Sequence, residues 1–235
     1  MVIFSKIISF FLSIVMAILN IFGLGGEKRP EFVLGENVNS NAVQVLEVYN
    51  NAVIKTDEDA PLVKTVMSLE DLVMDGMNAG TVTMLKSMMN DMLAEEAFED
   101  YDIPGKGELT ADDVVSAKMS TEEGLTTVII KVKEQIDDGY GNAKGSAPVS
   151  RAMSTLGNVA GIMEETDFIS GGENLEITYT DCTLACIIDD ATGMILYGEW
   201  YYNVTLEMDG LVINAGESPI EISDVSYTMG YKSVL

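Results

Sequence analysis

Hydrophobic and polar positions divide this chain into stretches of different period. From Met1 to Leu24 the apolar run is broken by only five polar residues, Ser5, Lys6, Ser9, Ser13 and Asn20. A helix of ~20 such residues is long enough to cross the hydrocarbon of a bilayer. After a polar linker over 25–39, Ala42, Val45, Leu46, Tyr49 and Val53 recur at helical spacing behind Ser40, a residue type that caps helices. Leu62 to Ser68 alternates as a strand. Ser68-Leu-Glu-Asp71 also resembles a capping box, which leaves 68–76 open between strand and helix.

Residues 78 to 96 read as helix, with Val82, Met84, Leu85, Met88, Met89, Met92 and Leu93 on one half of the wheel. Val114 to Ser120 and Leu125 to Lys133 form a hairpin around Thr121-Glu-Glu-Gly124. Ser146 and Pro148 open a further helix, along which Val149, Ala152, Met153, Leu156, Ala160 and Met163 recur. The C-terminal third alternates most clearly. Leu175 to Ile188 is a long strand and Asp189 to Gly193 a turn. Met194, Leu196, Gly198, Trp200, Tyr202, Val204, Leu206 and Met208 then mark the apolar side of a half-buried strand. Asp209-Gly210 reads as a second turn, and Ile220 to Tyr231 as the last strand.

The expected fold class is therefore α+β. A curved antiparallel sheet of about six or seven strands, ending in a C-terminal meander, carries two or three amphipathic helices. One N-terminal hydrophobic helix precedes it. The expected organisation is a signal-anchor over 1–24, a linker over 25–39 and a single extracytoplasmic domain over 40–235.

The leading segment sets the address. Lys6 supplies a positive n-region, but the apolar core from Ile7 to Leu24 exceeds the 7–15 residues of a cleaved signal, and no small-x-small site follows. An uncleaved anchor is favoured over a cleaved, secreted form. No cysteine lies nearby, which excludes a lipid anchor on Cys. Lys6 before the span and Lys28 with Arg29 after it nearly cancel as orientation signals. Ser9, Ser13 and Ala17 stack at i, i+4 and i+8, a small-residue stripe that lets membrane helices approach and offers a route to homo-oligomers.

Charge and composition then exclude several functions. Setting aside Lys6, Glu27, Lys28 and Arg29 leaves 10 basic and 37 acidic residues, a net charge of −27. Such a field repels nucleic acid phosphates, so nucleic acid is not an expected partner. The chain has no histidine, which removes the commonest general base and zinc ligand. No metal or cofactor is expected. Residues 100–111 fit the ligand spacing of an EF-hand loop at too few positions, with Pro104 and Ala111 where oxygen ligands belong. Cys182 and Cys186 share one strand face ~13 Å apart, too far for a disulfide, which needs Cα atoms within ~7 Å. They read as buried small hydrophobes.

Four methionines fall within nine residues at Met84, Met88, Met89 and Met92. Methionine is favoured on apolar surfaces that adapt to ligands. The candidate ligand-binding residues are therefore Met84, Met88 and Met92 of the helix with Trp200 and Tyr202 of the sheet, enclosing an apolar cavity between the two. The alternative is that all five fill an ordinary core.

Tyr179-Thr-Asp-Cys-Thr, the hairpin Ile187-Ile-Asp-Asp-Ala-Thr-Gly-Met-Ile-Leu and Asp112-Asp-Val-Val-Ser-Ala-Lys resemble a group of uncharacterised exported bacterial α+β proteins. The same hairpin is similar to those of half-barrel lipid-carrier lipoproteins, which usually have a lipidated cysteine that this chain lacks. The resemblance implies export and a strand-rich C-terminal half, and it assigns no functional residue. Three functions remain in order of preference. The first is a non-enzymatic, membrane-tethered or exported binding domain. The second is a carrier of a lipid or other apolar ligand, and the third a hydrolase built on paired carboxylates.

Overall fold

A computed structural model describes residues 31–95, 98–166, 169–214 and 219–235. The apolar segment 1–24, with its stripe at Ser9, Ser13 and Ala17, and the first part of the linker lie outside the described residues. Among the described residues, no helix is long and apolar enough to cross a membrane.

The described chain runs α1 (Ala42–Asp57), β1 (Val63–Met74), α2 (Ala79–Glu95), β2 (Phe98–Asp100), β3 (Val114–Glu122), β4 (Leu125–Val132), β5 (Gln135–Asp137), α3 (Pro148–Ala152), α4 (Val159–Glu164), β6 (Ile169–Ser170), β7 (Glu173–Asp189), β8 (Met194–Ile213) and β9 (Ile220–Val234). The strands form one antiparallel sheet in the order β2-β1-β9-β8-β7-β4-β3, with β5 on β7 and β6 on β8. Six strands are long; β2, β5 and β6 have only two or three residues each. The α+β class and the C-terminal meander are as the hydrophobic pattern implies.

One face of this sheet is the core. Met67, Tyr231, Tyr202 and, on β7, Cys182 and Leu184 point the same way and are all buried. The helices pack on that side. α1 lies across β8 and β3, with Val45, Leu46, Tyr49, Ala52 and Val53 turned inward. Its N-cap is Asn41 rather than Ser40: the Asn41 side chain accepts from the Gln44 N–H at 3.3 Å. At its other end, Thr56 Oγ1 donates to the Ala52 carbonyl and accepts from the Ile195 N–H at 2.8 Å, tying α1 to the start of β8.

α2 seals a sheet edge. Beyond Thr65, no strand among the described residues pairs with the outer side of β1. There Asn90 accepts from the Leu69 N–H at 2.8 Å and donates to the Leu69 carbonyl at 3.0 Å, while Lys86 donates to the Glu70 carbonyl. Covering an open edge in this way satisfies its backbone groups and blocks pairing with another chain. The stretch 68–76, open between strand and helix in the sequence, is strand to Met74.

Three local expectations are corrected by backbone geometry. Asp209-Gly210 is not a turn: Gly210 takes φ +63° within β8, and pairing to β9 continues through Leu211↔Ile222 to Ile213↔Ile220. Leu196 is not on the apolar side. The register between β7 and β8 shifts where Ile187 meets Tyr197 and Ile188 meets Ile195, so Leu196 is the extra residue and is exposed while Ile195 is buried. A β-bulge of this kind reverses the facing of everything before it. Finally, the helix opened by Pro148 breaks after Ala152 and restarts at Val159, between which Gly157 takes φ +68°. Val149, Ala152, Met153, Leu156, Ala160 and Met163 are nonetheless all buried.

Candidate functional site

The structure does not bring the sequence-selected residues together. Trp200 and Tyr202 are fully buried, but the helix that meets Trp200 is α1. The Trp200 indole donates to the Tyr49 hydroxyl at 2.8 Å, and Gly105 lies directly over this pair. Tyr202 stacks on Tyr231 at 4.8 Å and meets the edge of Tyr179 at 5.4 Å. Both aromatic side chains are thus occupied by packing. Met84 and Met88 sit on α2, which packs on β1, and they are exposed by 44% and 38%. Leu85, Met89 and Leu93 make the buried stripe of that helix instead. The half-circle of apolar positions on α2 is wider than the contact β1 offers, so its margin is left in solvent. The Met92 side chain lies outside the described ones.

What the fold offers instead is the opposite face of the sheet. Among the described residues, no helix packs over it. Strand alternation puts Val66, Lys232, Tyr201, Thr183, Lys131 and Ser116 in one row across β1, β9, β8, β7, β4 and β3. The neighbouring row toward the β8 N-terminus holds Lys64, Glu199 and Lys118. On the other side of the Tyr201 row come Ser68, Gly230 and Asn203, then Asp71 and Thr228 with Thr205, then Glu207. These side chains are half-buried or exposed, as the solvent side of an antiparallel sheet is.

A cleft of about 480 Å³ opens on this face, lined by Lys131, Lys133, Asp181, Thr183 and Tyr201 among others. It exists because a ladder is interrupted. β7 pairs with β4 as far as Thr183↔Lys131 and with β5 from Tyr179↔Gln135, and the gap between is spanned by a bulge centred on Asp181 at φ +54°. Left-handed backbone is unusual for a residue other than glycine, and bulges re-aim side chains beside functional surfaces. Asp181 is thereby turned to accept from Asn203 Nδ2 at 3.2 Å, while Asn203 Oδ1 accepts from the Tyr201 hydroxyl at 2.5 Å.

A second bulge, between Leu69 and Asp71 on β1, presents Glu70, whose carboxylate accepts from Ser68 Oγ at 2.5 Å. Gly230 lies between the two bulged strands. A Cβ there would come within 2.9 Å of Ser68 Oγ and 3.3 Å of Glu70 Oε1, so the missing side chain leaves room for this network. The Tyr201 hydroxyl is held above its ordinary pKa. Burial is the main cause and the nearby Glu70 and Asp181 carboxylates add to it, against the hydrogen bond to Asn203. Tyr201 therefore stays a neutral donor.

Comparison with family models, curated proteins and solved structures finds no match. The surface stands on its own geometry. It is a polar, hydrogen-bonding face with an aromatic ring near its centre and a cleft beside it. Such a face can dock a partner through many contacts of moderate strength.

Its charge is unevenly divided. The rows toward the β8 N-terminus carry Lys64, Lys118, Lys131 and Lys232 against Glu99, in register with Lys64, and Glu199, which Lys232 meets at 2.7 Å. The rows toward the β8 C-terminus carry Asp71, Glu176, Glu207 and Asp209, with Lys86 3.6 Å from Asp71 and Lys144 2.8 Å from Glu176. No motif in the sequence marks this face. Its members come from six strands, and only the register between them shows that they are neighbours.

Proposed function

We propose that this chain is a non-enzymatic binding domain, held at the extracytoplasmic side of a membrane by residues 1–24, whose partner docks on the uncovered sheet face. The observation that carries the reading is the asymmetry of the sheet. One face is filled by helices down to a fully buried Trp200, and the other is an open polar platform with a cleft and two bulges. The packing of Trp200 against Tyr49 of α1 and of Tyr202 against Tyr231 and Tyr179 favours this over a ligand carrier whose cavity those residues would line.

Membrane fractionation of cells producing the full chain, followed by N-terminal sequencing, tests the tether. The expected result is recovery with the membranes and an N-terminus preceding Ile7. A soluble mature form beginning near Gly25 overturns the anchored reading.

A further inference from the structure

We propose that the uncovered sheet face is closed by the same face of a second copy of this chain, the lysine half of each copy lying over the carboxylate half of the other. This rests on reading that face as the docking surface, and it names the occupant.

Charge is the first argument. In a region with a net charge of −27, four of the ten basic residues occupy two adjacent rows of one face, against two acidic residues in register there, Glu199 and, opposite Lys64 on β2, Glu99. The other half of the same face carries Asp71, Glu176, Glu207 and Asp209, and the two lysines that reach it leave it net negative. A surface split in this way is complementary to itself. A two-fold axis lying in the interface and perpendicular to the strands exchanges the two halves, so each lysine half meets a carboxylate half. Stacking the faces in the other sense sets lysine on lysine and acid on acid, which disfavours it. The chain's overall negative charge opposes such a pairing only weakly, because charges farther apart than the Debye length of ~8 Å are screened.

Area is the second argument. The six long strands of the sheet, each occupying ~4.8 Å, give a width of ~29 Å. About nine residues of each strand at ~3.3 Å give a length of ~30 Å. The product, roughly 850 Å² per copy, is that of a standard stable interface, about 800 Å² per partner. Apolar side chains are interspersed with the charges. Val66 and Val73 are exposed by 43% and 46%, the half-buried Ile129 and Ala185 lie in the row between Lys64 and Lys118, and the half-buried Ile187 lies in the row beside them. Sheets that stack face to face bury residues of this kind between them.

The test uses the full chain purified in a mild detergent and examined by sedimentation velocity. One variant carries Lys118→Glu with Lys131→Glu, and the other Asp71→Lys with Glu207→Lys. All four positions are exposed, and circular dichroism checks that each variant folds. The wild type is expected to be a dimer that weakens as salt is raised. Each variant alone is expected to bind itself at least tenfold more weakly, because both halves of its face now carry one sign. An equimolar mixture of the two variants is expected to restore dimers containing one copy of each.

A monomeric wild type at about 100 μM overturns the proposal and leaves the tethered reading standing. Variants that dimerise as the wild type does also overturn it, and assign any association to the first 24 residues. A cleaved, soluble chain that still shows the charge-swap rescue has the opposite meaning: the interface stands and the anchor falls.

Discussion

Trp200 donates its indole N–H to the Tyr49 hydroxyl across 2.8 Å, with neither residue more than 1% exposed. This bond joins α1 to the longest strand of the sheet and closes the inner face beneath Gly105. Tyr49→Phe leaves the indole donor buried without an acceptor and is expected to destabilise the fold by about 1–3 kcal/mol. Gly105→Ala brings a methyl to 2.9 Å from the Tyr49 hydroxyl and 3.2 Å from Trp200 Nε1, and is expected to cost a similar amount through overpacking. Urea unfolding followed by tryptophan fluorescence measures both.

Asn90 satisfies both backbone groups of Leu69 where no strand among the described residues pairs with the outer side of β1. Asn90→Ala is expected to lower stability by about 1–2 kcal/mol and to speed hydrogen exchange at the Leu69 amide more than at amides of β7 or β8. Equal acceleration at all of these sites would mean that Asn90 acts on global stability alone.

Two buried carboxylates move stability with pH in opposite senses. Burial raises the Asp113 pKa, but hydrogen bonds from Arg151, from the Thr110 hydroxyl and from the Thr110 N–H outweigh it, so the net shift is downward. Asp113 thus stabilises the fold above the ordinary carboxylate range, and that stabilisation is lost as pH falls through its depressed value. Asp137 is pushed up by burial, with a like-signed push from Asp138 and only partial relief from Gln135. Its contribution is complete below its unfolded pKa of ~3.9 and declines as pH rises through its elevated one. Asp137→Asn is therefore expected to raise the melting temperature relative to wild type at pH 7 but not at pH 3. Arg151→Ala removes the charged donor of Asp113, leaves its two hydrogen bonds from Thr110, and is expected to cost about 1–3 kcal/mol at pH 7.

Cys182 and Cys186 are free and buried. Burial pushes the Cys182 thiol up to about 12 and raises Cys186 as well. Since the thiolate is the reactive form, iodoacetamide at pH 8 is expected to leave both unmodified in the native chain and to modify both in urea. Mass spectrometry reads the difference.

Much of this architecture was legible in the hydrophobic pattern, because a half-buried strand writes a period of two and an amphipathic helix a period of 3.6. The β3–β4 hairpin, the Asp189–Gly193 turn, the burial of both cysteines and the existence of α1 and α2 follow from that alone. The pattern failed where one residue shifts the register. At Leu196 a bulge reverses the facing, and at Gly210 a positive φ is absorbed inside a strand although Asp-Gly is a turn dipeptide. It also failed on Met84 and Met88, since a helix wheel shows which positions are apolar and not how wide a surface awaits them. The candidate face was the least legible part. Lys64, Lys118, Lys131 and Lys232 are scattered over 169 positions of the chain and become neighbours only through strand order.

The central claim is that the outer sheet face is a docking surface in the native setting. Its most direct test is cysteine accessibility on intact cells, with a membrane-impermeant maleimide and full-length chains carrying Lys131→Cys, Glu207→Cys or, as a control at the β3–β4 turn, Glu123→Cys. The native thiols are buried and stay silent. The account predicts that Glu123→Cys labels on intact cells, while Lys131→Cys and Glu207→Cys are shielded there and become reactive once the purified chain is diluted. Equal labelling of all three positions on intact cells would contradict it.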